Sequence, residues 1–205
     1  MDFHNTFLYH FVVASMSFLL GLVFYSAGIE LGRVIAGVAF TLLFLTLIIG
    51  PLMRLWRPAL EVLPWQLPWS WRGELGIWFT IISIIHMLYV FNGRQWDVAG
   101  YMAGMRLADL VAFTALFLAL ILAVTSLGPV IKFLGVVSWK WLHSFTYVVF
   151  YLVGAHVINH AFLRPDRPED WLHWLYLIMI LIVFIFQFSA FVKTIAQSRK
   201  NLKSL

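Results

Sequence analysis

Cysteine is absent from the 205-residue sequence, and charged side chains make up only 11% of it. The absence of cysteine excludes disulfides, cysteine-ligated iron–sulfur clusters and the C-x-x-C-H attachment of a c-type haem. The scarcity of charge excludes an ordinary soluble domain, in which about a quarter of the residues are charged. Hydrophobic residues make up 62% of the chain, more than a soluble fold can cover. A lipid bilayer is therefore the expected solvent.

Six apolar stretches, each long enough to cross a hydrocarbon layer of about 30 Å, recur along the sequence. We predict an all-α integral membrane protein, a six-helix bundle that forms a single domain over residues 1–205. The predicted spans are Phe7–Tyr25, Val34–Leu52, Gly73–Phe91, Leu107–Thr125, Leu142–Phe162 and Trp171–Val192. Helix breakers are expected to end the second, fourth and fifth spans, at Pro51, Pro58, Pro64, Pro68, Gly128, Pro129, Pro165 and Pro168.

The orientation is predicted from lysine and arginine, which collect on the cytoplasmic side of membrane proteins. One side of the bundle would carry Arg54, Arg57, Arg72, Lys132, Lys140, Lys193, Arg199, Lys200 and Lys203. The other side would carry Arg33, Arg94, Arg106, Arg164 and Arg167. The richer side is expected in the cytoplasm, which places both termini there, in a bacterial inner membrane. The net charge of +5 is explained by this placement, so no nucleic-acid partner is expected.

Two histidines lie deep in predicted spans, where ionisable groups are costly and usually functional. His86 follows Trp71 by 15 residues, and His156 follows Trp141 by 15 residues. If both tryptophans mark the inner interface, the rise of 1.5 Å per residue places both imidazoles about 22 Å above it, in the outer half. Two imidazoles at one depth on two helices predict the axial ligands of one haem iron.

Two other interpretations of His86 and His156 remain open. Each imidazole could instead form a hydrogen bond to a neighbouring side chain such as Ser83 or Tyr89. A zinc, cobalt or copper site normally needs three or four ligands, and we expect no acidic side chain near the pair to complete one. Haem is therefore the favoured ligand.

The other histidines carry weaker signals. His143 precedes His156 by 13 residues, about 20 Å lower and about 140° away around an ideal helix. It is a candidate ligand of a second haem, although the matching depth of the third span holds Gly73 or Arg72 and no histidine, with His10 as a conceivable substitute. His160 is expected to meet water or a haem propionate. His4 and His173 are expected to be solvated.

Several short motifs resemble the ferric reductase-like transmembrane domain superfamily, and within it the YedZ/MsrQ type, the haem-binding membrane subunit of the bacterial methionine sulfoxide reductase system. They are Leu75-Gly76 with His86 ten residues later, Thr125-Ser126, Trp139-x-x-Leu142-His143, and His156. The resemblance implies that His86, His143 and His156 bind haem b. It also implies an inner cofactor, either flavin (FMN) or quinone, near Arg72.

The predicted function is that of a b-type cytochrome that carries electrons from a quinol or reduced flavin to a periplasmic oxidoreductase subunit. The sequence contains no G-x-G-x-x-G fingerprint, so the electrons are not expected to come from a nicotinamide cofactor bound by this chain. The alternatives are a terminal oxidoreductase that acts on ferric iron, superoxide or oxygen, and a proton or metal transporter.

Charged residues of the outer loops are candidates for contacts with haem and with a partner. Arginines there could bind the propionates, and acidic residues could orient a basic docking surface. For any single residue, simple solvation of the loop is the alternative. The arginines are Arg94, Arg106 and Arg164, and the acidic residues are Asp97, Asp166, Glu169 and Asp170.

Overall fold

The computed structural model describes residues 3–61, 67–163 and 170–203, with side chains described for 7–56, 71–163 and 170–199. Every regular element in these ranges is a helix. In chain order they are α1 (Phe3–Ser26), α2 (Leu31–Glu61), α3 (Leu67–Gly93), α4 (Val98–Ala103), α5 (Leu107–Thr125), α6 (Gly128–Leu134), α7 (Val136–His143), α8 (Thr146–Phe162) and α9 (Trp171–Lys203).

Six segments are long and apolar enough to cross a membrane, as predicted. They are Phe7–Ser26, Leu31–Trp56, Trp71–Gly93, Leu107–Thr125, Val136–Phe162 and Trp171–Arg199. The fifth segment is divided between α7 and α8, which meet at a turn formed by Ser144 and Phe145. The chain is thus an all-α, multi-pass membrane protein.

The second span is longer than predicted because Pro51 does not end it. The helix continues through Pro51 and loses helical geometry at Trp56 (φ −128°, ψ 36°). Pro58 follows two residues later in the sequence, and because proline has no N–H to donate to the carbonyl four residues before it, a break is favoured there. Pro68 was also predicted as a breaker, but it lies in the first turn of α3, where proline is well tolerated.

The remaining predicted breakers divide into two groups. Gly128 and Pro129 form the start of α6, and its first turn contains the proline. Pro64, Pro165 and Pro168 lie outside the described residues.

The helix α2 is the centre of the bundle. It packs against α1, α3, α8 and α9, while α5 packs mainly against α8 and α3. In the apolar window of α2, 67% of the residues are buried, compared with 17–22% in the other five spans. The exposed faces of those five spans carry large apolar side chains such as Phe117, Phe184 and Phe188, which suits contact with lipid.

The bundle has two ends, which we name by their short helices. The α4 end contains α4, the α1–α2 connection and the start of α9; the α6 end contains α6 and α7. Successive spans run in opposite directions between these ends. By the distribution of lysine and arginine, the α4 end stays the predicted outer end.

Candidate cofactor site

A cavity of about 410 Å³ opens between α2, α3, α5, α8 and α9 at the α4 end. Its volume lies in the range of about 300–1,000 Å³ that is typical of ligand and cofactor pockets. Short side chains leave the space, and larger apolar side chains form the walls. The short residues are Ala36, Ala39, Ala112 and Ala161, and the apolar walls include Phe40, Phe79, Phe113, Leu116, Val153 and Val157.

His86 of α3 and His156 of α8 both line this cavity. The Nδ1 atom of His86 lies 3.1 Å from the carbonyl oxygen of Gly32 on α2. The Nδ1 atom of His156 lies 2.9 Å from the carbonyl oxygen of Ala108 on α5. The two histidines thus line one cavity, and each has a backbone carbonyl, rather than the expected Ser83 or Tyr89, as a hydrogen-bond partner.

These two hydrogen bonds determine the tautomer of each imidazole. A carbonyl oxygen can only accept, so Nδ1 carries the hydrogen and Nε2 carries the lone pair. Histidines that bind metals usually donate their second ring N–H to a carbonyl or carboxylate in this way, which orients the ring and makes the ligand nitrogen more basic. His86 and His156 thus have the hydrogen-bonding pattern of metal ligands.

A glycine makes the His86 contact possible. A Cβ atom added to Gly32 would lie 2.6 Å from Cε1 of Tyr89, closer than two carbon atoms can approach. Tyr89 is three residues after His86 on α3. The absence of a side chain at Gly32 therefore lets α2 and α3 come close enough for its carbonyl to reach the imidazole.

Asp109 and His160 also line the cavity, and their side chains are within hydrogen-bonding distance of each other. The His160 Nε2 atom lies 3.1 Å from the Asp109 Oδ1 atom. The His160 ring also packs on His156, with centroids 4.4 Å apart. Two expectations are corrected here: an acidic side chain does lie beside the histidine pair, and His160 contacts a carboxylate rather than only water. Asp109 lies at the start of the predicted fourth span, and one sequence does not show in which direction its side chain points.

The polar side of the cavity carries Arg33 and Arg94. The Arg94 guanidinium carbon lies 4.5 Å above the ring centre of Tyr101. Arg33 lies 2.6 Å from Asp170 and 3.3 Å from Nε2 of His173. His173 was expected to be solvated, but it is only 4% exposed. The sequence analysis places Arg33 on the outer side and assigns it no function. One sequence does not show which of the charged side chains on that side points into the bundle.

Asp170 lies just before α9, outside the membrane-spanning segments. Burial by itself raises the pKa of its carboxyl, but the hydrogen bond and positive charge of Arg33, together with His173, outweigh burial and hold the pKa below its ordinary value. Its Oδ1 atom also accepts hydrogen bonds from the backbone N–H groups of Leu172 and His173. Asp170 therefore caps α9 and ties it to α2.

Other charges of the predicted outer loops have local structural partners or lie outside the described residues. Asp97 is the N-cap of α4 and accepts a hydrogen bond from the Gly100 N–H at 2.8 Å. Arg106 is the N-cap residue of α5 and makes no side-chain capping bond. The remaining candidates, Arg164, Asp166 and Glu169, lie outside the described residues.

The two predicted inner residues, His143 and Arg72, lie away from the cavity, at the α6 end. The Arg72 Nε atom donates to the carbonyl of Thr46 at 3.2 Å. Nε2 of His143 lies 3.3 Å from the hydroxyl oxygen of Thr125, and the imidazole packs on Trp139 with centroids 4.4 Å apart. Arg72 is near enough to His143 to act on it electrostatically. Thr125, Trp139 and His143, which belong to the motifs quoted in the sequence analysis, thus meet at this end of the bundle.

His143 differs from the cavity pair in the partner of its ring. Its Nε2 atom contacts the Thr125 hydroxyl, which can donate or accept a hydrogen bond, so either tautomer of the imidazole suits this contact. Among the described residues, His143 does not show the contact of Nδ1 with a backbone carbonyl that orients His86 and His156. Although 140° was expected between His143 and His156, both contact α5, because the turn between α7 and α8 changes the register of the faces.

A haem fits the residues of the cavity in three respects. Two imidazoles with a lone pair on Nε2 approach from different helices, as bis-histidine ligation requires. Four alanines leave the space, and the larger apolar side chains of the walls provide the non-polar contacts that a flat macrocycle needs. Arg33 and Arg94 lie together at the polar side, where carboxylates would be favoured.

No family model matches this chain. The chain is similar to the magnetosome protein MamZ of Paramagnetospirillum magneticum strain AMB-1, with 29% identity over 157 residues. The match covers 73% of this chain but only 22% of MamZ. The chain therefore spans about a fifth of the length of this relative.

Proposed function

We propose that this protein is a b-type cytochrome that transfers electrons across a bacterial inner membrane. In this proposal His86 and His156 bind the iron of one haem between α3 and α8. The chain is then the electron-transfer subunit of an oxidoreductase system and has no catalytic residue of its own. The fold assigned by resemblance, the ferric reductase-like transmembrane domain, carries this function.

One observation carries the proposal. His86 and His156 come from different helices, line one cavity, and each place Nδ1 on a backbone carbonyl of a third or fourth helix. A histidine whose ring only needed a hydrogen-bond partner within an apolar core would need no cavity beside it. Two histidines oriented alike around a cofactor-sized space are better explained by a shared iron.

The residues of the cavity have separate roles in this proposal. A haem bound there would supply one-electron redox chemistry. The carbonyls of Gly32 and Ala108 hold the two rings in orientation, because each bond removes a rotation of the imidazole. The apolar walls exclude water and oppose ligand exchange. Arg33 and Arg94 favour carboxylates at the polar side.

The donor and acceptor are proposed from the two ends of the bundle. Electrons would enter at the α6 end, near Arg72 and His143, from a quinol or a reduced flavin. They would leave at the α4 end to a periplasmic oxidoreductase subunit, such as the catalytic subunit of a methionine sulfoxide reductase. The name of MamZ assigns that relative to the magnetosome and states no reaction, so it does not distinguish between acceptors.

Haem ligation is tested with the purified full-length chain. The dithionite-reduced protein is expected to show the α band of low-spin haem b at about one haem per chain. His86→Ala and His156→Ala should each lose that band, whereas His10→Ala, which changes a histidine near Glu74 and outside the cavity, should keep it. Added imidazole should restore a low-spin spectrum to His86→Gly, since it can fill the vacated position.

Two results would overturn the haem proposal. One is a wild-type chain that stays colourless after expression with excess haem, which would favour a transporter. The other is a full low-spin signal in both His86→Ala and His156→Ala, which would assign the iron to other ligands.

The direction of transfer is tested in membrane vesicles with the haem reduced in advance. A methionine sulfoxide reductase subunit added at the periplasmic face should reoxidise it rapidly, and less so at high salt if charged loops guide docking. Rapid reoxidation by ferric chelates or oxygen, with none by the subunit, would instead identify a terminal oxidoreductase.

A further inference from the structure

Beside the proposed haem position lies a second group of ligand-type side chains. One ligand atom from each of Asp109, His156 and His160 lies within 4.8 Å of the other two. Asp109 comes from the first turn of α5, and the histidines are one turn apart on α8. Asp109 is 9% exposed, so its carboxylate lies inside the bundle, where an isolated negative charge is unfavourable.

The distances within this group suit a single small cation. Two ligand atoms that each lie about 2.0–2.1 Å from one ion are about 2.9 Å apart at a right angle and about 3.4 Å apart at the tetrahedral angle. The Asp109 Oδ1 and His160 Nε2 atoms are 3.1 Å apart, between these two values. The ligand atom of His156 lies within 4.8 Å of both of these atoms, and its ring packs on that of His160 with centroids 4.4 Å apart.

The chemistry of the three side chains indicates which cation fits. Two imidazole nitrogens and one carboxylate oxygen form a facial set that is typical of zinc and of first-row transition metals, and open positions remain for water. Calcium and magnesium prefer six or more oxygens, and this group offers one carboxylate. A divalent ion would also neutralise the buried charge of Asp109.

We propose that Asp109, His156 and His160 form a binding site for a divalent transition-metal ion, such as Zn²⁺ or Co²⁺, in the haem-free chain. The part of this inference that concerns competition rests on the proposed function, because it requires His156 to be a haem ligand. A neutral imidazole has one lone-pair nitrogen, so His156 cannot bind both ions at once. Metal and haem therefore exclude each other, and a divalent metal hinders haem loading.

The experiment titrates Co²⁺ into the detergent-purified, full-length chain after EDTA treatment and follows the visible d–d absorption. Haem-free protein is obtained both from wild-type cells grown without haem supply and from His86→Ala. One Co²⁺ per chain is expected, displaced by Zn²⁺. Asp109→Asn and His160→Gln should each weaken Co²⁺ binding by at least about a hundredfold, the upper range for losses around a metal site, yet keep most of the haem.

The matched controls are Glu30→Gln, which neutralises another carboxylate of the cavity, and His143→Ala, which removes a histidine outside it. Both should keep full Co²⁺ affinity. Size-exclusion profiles and thermal midpoints verify that Asp109→Asn and His160→Gln remain folded. If either variant unfolds, Asp109→Ala and His160→Asn replace them, and an unchanged Co²⁺ affinity in those variants counts against the site.

The outcomes separate this inference from the proposed function. Absence of stoichiometric Co²⁺ binding, or binding that Asp109→Asn and His160→Gln leave unchanged, overturns the metal site whether or not haem binds. Equal Co²⁺ affinity in haem-loaded and haem-free protein overturns the sharing of His156. A chain that never binds haem but loses Co²⁺ in these variants supports the metal site and refutes the cytochrome.

Discussion

The guanidinium of Arg33 lies 2.6 Å from the carboxylate of Asp170 and joins the beginning of α2 to the beginning of α9. The contact closes one side of the cavity, since Arg33 and the neighbouring His173 both line it. One residue therefore serves two purposes: it holds two spans together and presents positive charge to the proposed haem site.

The first prediction concerns pH. The pKa of Asp170 in the folded protein is below its ordinary value of 3.8. The ionised carboxylate therefore stabilises the fold fully above about pH 4, and this stabilisation is lost as the pH falls through the pKa of the folded state. Asp170→Asn should lower the thermal midpoint at pH 7, and the difference from wild type should shrink below about pH 4. In an Arg33→Gln background, Asp170→Asn should have little further effect. A difference that grows on acidification would contradict this assignment.

The second prediction concerns the close approach of α2 and α3. Gly32→Ala should displace Tyr89 and pull the Gly32 carbonyl away from His86, at a cost of about 1–3 kcal/mol as for other overpacked sites. Haem per chain and the thermal midpoint should both fall. A second change, Tyr89→Ala, should restore much of both because it removes the atoms that the new methyl group meets.

Gly73→Ala is the matched control for Gly32→Ala. Gly73 lies on the same helix as Tyr89, and a Cβ atom there would meet nothing within 4 Å. It should leave haem content and the thermal midpoint unchanged. If Gly32→Ala behaves like Gly73→Ala, the carbonyl of Gly32 does not need the close approach to hold His86.

The sequence predicted the spans and the common depth of His86 and His156 because both depend on distance along helices, and the rise per residue is nearly constant. It did not predict the contacts of Asp109 or the burial of His173, which depend on how each helix is rotated about its axis. In a membrane, lipid and protein interior are both apolar, so hydrophobic periodicity gives little information about that rotation.

The turn at Ser144 was missed for a different reason. It contains neither proline nor glycine, so the sequence predicts one uninterrupted helix for the fifth span. The structure places the interruption between α7 and α8 instead. The backbone at Ser144 and Phe145 stays nearly helical, and α7 and α8 together form one segment long and apolar enough to span a membrane.

The third prediction concerns the space in the cavity. Ala112 lines it from α5, so Ala112→Leu should fill the volume and remove most of the haem from the purified chain while the helical circular dichroism stays the same. Ala155 adjoins His156 in sequence but is exposed on the outside of the bundle. Ala155→Leu should therefore keep its haem. Equal haem content in the two variants would show that the cofactor lies elsewhere.

The fourth prediction concerns electron entry at the α6 end. Arg72 and His143 interact electrostatically, and they are anchored to Thr46 and Thr125. A cation beside an imidazole suits a donor that loses a proton together with its electron. The imidazole can accept the proton, and the cation favours the anionic form of the donor that remains.

His143→Ala and Arg72→Gln should therefore slow haem reduction by quinol or reduced flavin, by about a hundredfold for the loss of a general base, without lowering haem content. Lys140→Ala is the control, because Lys140 is an exposed cation on the same helix as His143 and contributes only surface charge. Stopped-flow reduction at several donor concentrations separates weaker donor binding, expected for Arg72→Gln, from slower electron transfer, expected for His143→Ala.

Reduction at wild-type rates in both variants would place the entry site away from this pair. Loss of the haem spectrum in His143→Ala would instead make His143 a ligand and imply a second haem at the α6 end.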